Sequence, residues 1–419
     1  MKISIISDCH LNKAVYKSVS DREFTNLPFR TADFMRALKY MINKSIDMEV
    51  DLVVIPGDIY DNFDPSNEVR GFFSSQVKKL CDAKIPVIIL IGNHDVCMKH
   101  HALKDIKELG LKTIRVYEKP SIVKFKGHKL LLFPYSLDIE QQNVTVKDEF
   151  YSFLKKVQDN DEKLPTMFFG HFGVKGGKLN EYLRSINVLT TDTTTTECQV
   201  KTNYINTNPN DISCDDLDKL GAEYVILGDY HEHQILKTKK CIAMYTGSIE
   251  KTDITEITQK KGFILYDSEA EEIEYLGKCR FIEYPNCRPM IELKGSDITE
   301  LRQKFDSMDH SKYQNAIVKI SFKGKSDALL TFSIGLDAFK KDIKQKINAI
   351  HVFHQQGIEN EDQREEASRI EQQIMERGHI EETDVIDVVK DMIVEKIDDD
   401  TEQKITVDLA VDIYNEARG

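Results

Sequence analysis

Ile3-Ser4-Ile5-Ile6-Ser7-Asp8-Cys9-His10 opens as an apolar, strand-like run and ends on a carboxylate and an imidazole. The pattern recurs along the chain. Leu52-Val53-Val54-Ile55-Pro56 runs into Gly57-Asp58, and Val87-Ile88-Ile89-Leu90-Ile91 runs into Gly92-Asn93-His94-Asp95. Met167-Phe168-Phe169-Gly170 precedes His171, and Tyr224-Val225-Ile226-Leu227 precedes Gly228-Asp229-Tyr230-His231-Glu232-His233. Ligands that emerge from the ends of buried strands can be held rigidly. Carboxylate, imidazole and carboxamide together suit a pair of divalent ions that activate water against a phosphate ester. The chain reads as a hydrolase before any fold is assigned.

Working outward, apolar runs at 3–6, 52–56, 86–91, 130–133, 166–169, 224–227 and 263–266 are expected to be buried strands. Phe34, Leu38, Met41 and Ile42 have helical spacing between two of them, as do Phe72, Val77 and Leu80. This is an α/β pattern with ligands at the C-terminal ends of strands, where such folds place their sites. Between Gly173 and Asp216 the pattern lapses into Gly176-Gly177, a run from Thr190 to Thr196, and Asn206 to Asn210 around Pro209. Lying between two ligand motifs, this polar insertion is either a substrate-contacting loop or a plain surface one.

At 419 residues, two or three domains are expected. No stretch approaches the roughly 20 apolar residues of a membrane span. Met1 to Ile6 is too short for a signal peptide and reads as a structural strand. The eight cysteines show no C-x-x-C pair, which fits a reduced intracellular compartment such as the cytoplasm. From 357 to 419 there are 20 acidic residues against 7 basic, which accounts for the whole net charge of −13. The remaining body is balanced, so a DNA-facing basic surface stays possible beside an acidic, protein-binding or solvated tail.

The organisation expected is a phosphoesterase domain over 1–275, a small α+β module over 280–350, and an acidic helical region over 357–419. Met290 to Leu293 and Ala316 to Phe322 read as strands of the module, with Ile298 to Phe305 as its helix. The module is either a substrate-shaping cap or a packing or dimerisation unit. In the tail, Ile386, Val389, Ile393 and Ile397 share one helical face, and Ile405, Leu409 and Ile413 another. Those stripes dock on a partner, or back on the chain's own body.

Two metals need a particular donor set. Asp8, His10 and a later histidine can hold one ion, Asp58 can bridge, and Asn93 with His171 can serve the second. His94, beside a ligand, can donate to the phosphate and protonate the leaving alkoxide. Asp95 is expected to fix the tautomer of His94. His100, His101, His128, His310, His351, His354 and His379 lie outside the strand-end motifs and read as surface or satisfied core residues.

The ordered series Asp8-x-His10, Gly57-Asp58, Gly92-Asn93-His94-Asp95, Gly170-His171 and Gly228-x-x-His231 resembles the calcineurin-like metallophosphoesterases. Within them the chain is similar to the SbcD-type nuclease subunits of SbcCD double-strand-break repair complexes. That closer resemblance rests on Gly57-Asp58-Ile59-Tyr60-Asp61 with Pro65-Ser66, and on Tyr245-Thr246-Gly247-Ser248-Ile249 leading into Lys261-Gly262-Phe263. It implies a β-sandwich flanked by helices, a capping domain and a C-terminal ATPase-binding segment. It also implies a manganese-dependent nuclease, with magnesium as the other candidate, acting as 3′-to-5′ exonuclease on duplex ends and as endonuclease on single strands. The partners implied are DNA and an SbcC-type coiled-coil ATPase, in a heterotetramer built on a homodimer. By the family pattern Asp8, His10, Asp58 and His231 hold one ion, and Asp58, Asn93, His171 and position 229 the other, with His94 catalytic.

One departure stands out. The family has Gly-His-x-His where this chain has Gly228-Asp229-Tyr230-His231-Glu232-His233. Alignment on the glycine makes Asp229 and His231 the ligands and is preferred, because Asp is a good manganese ligand. Alignment on the histidine pair makes His233 the alternative ligand; otherwise it lies behind the ligands or on the substrate side. Two other functions compete with the nuclease: a phosphoesterase acting on nucleotides or phosphoproteins, and a catalytically inert scaffold that recruits the ATPase.

Overall fold

The computed structural model describes residues 1–14, 24, 27–98, 100–108, 110–111, 113–160, 163–175, 212–271, 276–324 and 326–358. The polar insertion's Gly176-Gly177, Thr190–Thr196 and Asn206–Asn210 stretches, and the acidic tail beyond Ile358 with its amphipathic stripes, lie outside the described residues.

Two six-stranded mixed sheets face each other. In spatial order the first holds Cys279–Glu283, Gly262–Asp267, Lys2–Ile5, Leu52–Pro56, Val87–Leu90 and Ile114–Tyr117. Lys2–Ile5 and the three strands after it run parallel, and Gly262–Asp267 closes the other side antiparallel. The second holds Gln234–Leu236, Ile242–Tyr245, Tyr224–Gly228, Thr166–His171, His128–Phe133 and Ser121–Phe125, with its four central strands parallel.

Strand alternation explains the layering. Leu52 and Val54 point into a core shared with Leu130, Leu132, Met167, Phe169 and Ile226 of the opposite sheet. Val53 and Ile55 point the other way, onto Phe34, Leu38 and Met41 of the helix Phe29–Asp47 and Val69, Phe73 and Val77 of the helix Asn67–Asp82. Ser66 caps the second helix by accepting from the Val69 amide at 3.4 Å. On the far side, Phe133, Phe168 and Leu227 meet Phe150 and Phe153 of the helix Val146–Gln158. The result is helix, sheet, sheet, helix. Strands buried on both faces must be apolar throughout, and that is why the runs are legible as strands. No helix among the described residues is long and apolar enough to cross a membrane.

The later module differs from expectation in two respects. Cys279–Glu283 pairs with Gly262–Asp267 in the first sheet, so a boundary near 280 would cut through an edge strand of the body. Beyond it, Met290–Gly295, Ile317–Gly324 and His351–Ile358 form a three-stranded, wholly parallel sheet. Parallel neighbours require crossovers, supplied by the helices Ile298–Asp306 and Ser326–Ile347. The module is therefore β-α-β-α-β rather than segregated α+β.

It rests on the body through Met290 and Ile317, which pack with Phe29 and Ile254. Beside that contact, the Arg288 guanidinium grips Asp33, which also takes Arg30 Nη1 at 2.6 Å.

Candidate metal centre

Parallel neighbours in each sheet deliver their C-terminal ends to one edge. Lys2–Ile5, Leu52–Pro56 and Val87–Leu90 lead to Asp8, His10, Asp58, Asn93 and His94, while Thr166–His171 and Tyr224–Gly228 lead to His171 and His231. The loops then interlock. His10 N donates to Asp58 O at 3.0 Å, and Leu11 N to Ile59 O at 2.9 Å. Asp8, His10, Asp58 and Asp229 all adopt positive φ (50°, 39°, 52° and 98°). Such non-glycine conformations cost about 1–3 kcal/mol each and concentrate where function requires them. Close approach also explains two glycines. A Cβ at Gly57 would collide with the His171 ring, and one at Gly92 with the Asp58 carboxylate.

Three ligand groups converge among the described residues, each with its donor atoms within 4.8 Å of one another: Asp8, His10 and His231; His10, Asp58 and His94; and Asp8, Asp58 and His171. Asp58 faces two ways. Its Oδ1 lies 3.3 Å from His171 Nε2, and its Oδ2 lies 3.8 Å from His10 Nε2. Asn93 Oδ1 lies 2.9 Å from the same His171 nitrogen.

Hydrogen bonds behind the rings set which nitrogen faces inward. His171 Nδ1 donates to the Pro56 carbonyl at 2.8 Å. His231 Nδ1 lies 3.0 Å from the Glu256 carboxylate, whereas His10 Nδ1 lies 3.4 Å from Asp61 Oδ1 without making a hydrogen bond. With a proton held on the outer nitrogen, the Nε2 of His171 and of His231 can present a lone pair to a cation, the arrangement that orients metal-binding histidines. His94 Nδ1 meets the Asp61 carbonyl at 2.9 Å, and its side chain is 33% exposed where His10 is sealed.

The electrostatics call for cations. Burial pushes the Asp229 carboxyl up to about 6, opposed by the charge of His171 and reinforced by those of Asp58 and Asp8. Burial lowers His10 to about 4. For His171 burial also disfavours the charged ring, but the Asp58 carboxylate overcomes it and holds this histidine up at about 10. Asp58 itself stays well below the carboxylate range, because His171, His94 and His10 outweigh its burial. Asp8 Oδ2 is buried and accepts no hydrogen bond among the described residues. An orphaned carboxylate oxygen beside inward-facing imidazole nitrogens fits a divalent cation.

Asp95 and His233 are engaged elsewhere in the fold. Asp95 does not orient His94. Its buried carboxylate turns beneath the loop and accepts from the amides of Tyr60 at 3.0 Å, Gly92 at 2.9 Å and Ile59 at 3.3 Å. The His94 tautomer is instead set by the Asp61 carbonyl. His233, the alternative ligand, is engaged elsewhere. Its ring stacks on Phe281 at 4.3 Å, and its Nδ1 meets the Tyr245 carbonyl at 2.8 Å. It falls outside all three convergent groups.

Asp229 also lies outside those groups, although its amide donates to Asp8 Oδ1 at 2.9 Å and its carboxyl shares the field of Asp8, Asp58 and His171. Two contributors were not among the expected site residues. Glu256, buried with Lys261 at 2.7 Å, sits behind His231. Asp61, paired with Lys13 at 2.8 Å, sits behind His10. Asp61 belongs to a quoted motif, whereas nothing around Glu256 announces a role.

A family model described as calcineurin-like phosphoesterase matches residues 1–234. The SbcD component of the SbcCD nuclease of Staphylococcus epidermidis is 24% identical over 236 residues, 53% of this chain and 57% of that protein. A DNA double-strand break repair protein Mre11 from Sulfurisphaera tokodaii is 33% identical over 118 residues, 27% and 28% of the two chains. Its counterpart from Thermoplasma acidophilum is 23% identical over 358 residues, 82% and 80%. The match thus spans little more than half of the first relative and under a third of the second. Among solved structures, an archaeal phosphodiesterase aligns at 13% identity and a TM-score of 0.31, covering 68% of this chain and 100% of its own.

Proposed function

The chain belongs to the calcineurin-like phosphoesterase family, and on that premise we propose that it is a divalent-metal-dependent DNA nuclease subunit of repair or recombination. The observation that carries the reading is the two-way aim of Asp58, with one oxygen toward His171 and the other toward His10. Two cations, manganese in the first instance and magnesium as the alternative, would supply activated water and charge neutralisation for in-line displacement at a phosphodiester. Asp8, His10 and His231 would hold one, Asn93 and His171 the other, with Asp58 shared and Asp229 completing the second.

The remaining work falls to the chain's own groups. His94 keeps its Nδ1 proton on the Asp61 carbonyl, which turns Nε2 toward Asp58 Oδ2 at 4.0 Å and the open side of the site. Protonated there, it can donate to a phosphate oxygen and then to the leaving alkoxide. Its partial exposure gives a substrate access. Asp95 holds the amides that shape the Asp58 loop, and so works as a positioning group rather than a proton donor.

The SbcCD and Mre11 relatives, named as a nuclease and as DNA double-strand break repair proteins, support DNA as the substrate. By the motif resemblance, the reading extends to 3′-to-5′ exonuclease activity on duplex ends and endonuclease activity on single strands. It also extends to a capping role for the parallel module, a homodimer, and a coiled-coil ATPase bound through the amphipathic stripes of 357–419.

The test is cleavage of labelled linear duplex and hairpin DNA with manganese, wild type beside His94→Ala. Loss of cleavage with bound metal retained is expected. A wild type that cuts no DNA, even with its ATPase partner present, sinks the proposal.

A further inference from the structure

The turn that supports His231 has two faces. Residues Ile254–Glu256 form a single 3-10 turn, capped by Asp253 on the Thr255 amide at 2.7 Å. Spacing of three puts Ile254 and Ile257 on one side of such a turn, and both join Met290, Ile317, Ile350 and Phe353 of the parallel module. Glu256 leaves from the other side and is buried. It takes His231 Nδ1 at 3.0 Å, the Thr252 amide at 2.8 Å and Lys261 Nζ at 2.7 Å. Thr252 Oγ1 lies 3.2 Å from the same His231 nitrogen. Lys261 is fixed in turn by the His231 carbonyl and Ser248 Oγ, each at 2.8 Å.

The stretch just before the turn is tied to the module's root as well. The Glu250 carboxylate accepts from the Arg288 amide at 3.2 Å and from the Cys287 thiol at 2.9 Å, and Arg30 reaches the Lys251 carbonyl. Arg288 Nη1 then donates to the Asn315 carbonyl, immediately before the module's central strand, at 2.9 Å. A rigid, buried connection therefore runs from the module's seat to one imidazole of the metal centre.

We propose that Glu256 is a positioning residue for His231, and that the module, by clamping the turn that carries Glu256, sets the affinity of the cation held by His231. The inference rests on the two-metal reading above. A carboxylate behind a ligating imidazole fixes its tautomer and raises its basicity, and removing such a partner costs about 10–100-fold in metal affinity. Because linkage is reciprocal, an ion at His231 must also tighten the module's seat.

The experiment is Mn2+ titration of the full chain, read by calorimetry and by the paramagnetic resonance of free Mn2+. It compares wild type, Glu256→Gln, Ile254→Ala and Val318→Ala. Val318 lies in the module's own core on the face opposite Ile317, so its truncation lowers the module's stability while leaving its seat on the turn intact. Expected are two bound ions in wild type, one of them weakened about 10–100-fold in Glu256→Gln, and the same ion weakened by a smaller factor in Ile254→Ala. Val318→Ala should move neither. Nitrogen-15 spectra of the cation-free protein should show His231 protonated at Nδ1 in wild type, with that preference reduced in Glu256→Gln. Should Glu256→Gln fail to fold, Glu256→Asp, which keeps the charge beside Lys261 but shortens the side chain that reaches His231 Nδ1, should weaken the same ion. Two ions bound with unchanged affinities in the Glu256 variant that folds overturn this inference alone. An equal effect from Val318→Ala overturns the coupling. Fewer than two ions on the wild type overturn the two-metal reading and this inference together.

Discussion

His10 and His231, 221 residues apart in the chain, bring their Nε2 atoms to 3.0 Å. Both rings have a carboxylate behind Nδ1, Asp61 for one and Glu256 for the other. Burial lowers His10 to about 4, whereas at His231 the Glu256 carboxylate overcomes burial and raises the ring. In the cation-free protein His231 can therefore donate its Nε2 proton to His10, and a cation that takes both nitrogens displaces that proton. A separation of about 3 Å is also the edge of an octahedron built from bonds of about 2.1 Å.

Manganese should accordingly stabilise the protein. Binding to the folded state alone adds about 2.7 kcal/mol at a free concentration 100 times Kd. Thermal melts with and without Mn2+ should show a concentration-dependent rise in Tm that EDTA reverses. A Tm indifferent to Mn2+ contradicts the site.

The pH dependence follows from His171. Its folded value is raised from 6.5 to about 10. Its contribution to the stability of the cation-free protein is thus complete below pH 6.5 and is lost as pH climbs through about 10. Denaturant midpoints in EDTA should fall across that window. The same proton must leave Nε2 when a metal binds, so Mn2+ uptake near neutral pH should release a proton and tighten as pH rises. Calorimetry in two buffers of different ionisation enthalpy counts it.

Asp95→Ala and His94→Ala should behave oppositely. Removing Asp95 strands three buried amides, at about 1–3 kcal/mol for each group left unsatisfied. We expect a loss of about 3 kcal/mol or more by denaturant unfolding, with weaker metal binding as the Asp58 loop relaxes. His94→Ala should leave the midpoint nearly unchanged and abolish cleavage.

Lys261→Met should be costly despite fitting the space. Lys261 and Glu256 are both sealed from solvent, and breaking a buried pair from one side costs about 3–5 kcal/mol. Urea unfolding checks it. A loss below about 1 kcal/mol would show that Glu256 is neutralised by other means.

Much of the centre could be read without coordinates. Asp8, His10, Asp58, Asn93, His94, His171 and His231 each follow an apolar run, and parallel strands buried on both faces put their ends on one edge. Asp95 departs from its expected role because neighbours in sequence point in different directions: its side chain turns under the loop while His94 faces out. In the module, Phe332, Leu336, Phe339, Ile343 and Ile347 are all buried at helical spacing within Ser326–Ile347. That helix is therefore readable from sequence, and recognising it indicates a parallel crossover.

The layered α/β class and the residues at each strand end are legible in the sequence, because periodicity and strand termination are local properties of the chain. Which atoms of those residues meet depends on the folded chain. The aim of each imidazole depends on the Pro56 and Asp61 carbonyls and the Asp61 and Glu256 carboxylates, groups brought up from elsewhere in the fold. The buried Lys261–Glu256 pair likewise exists only once burial removes competing water and makes its charges inseparable.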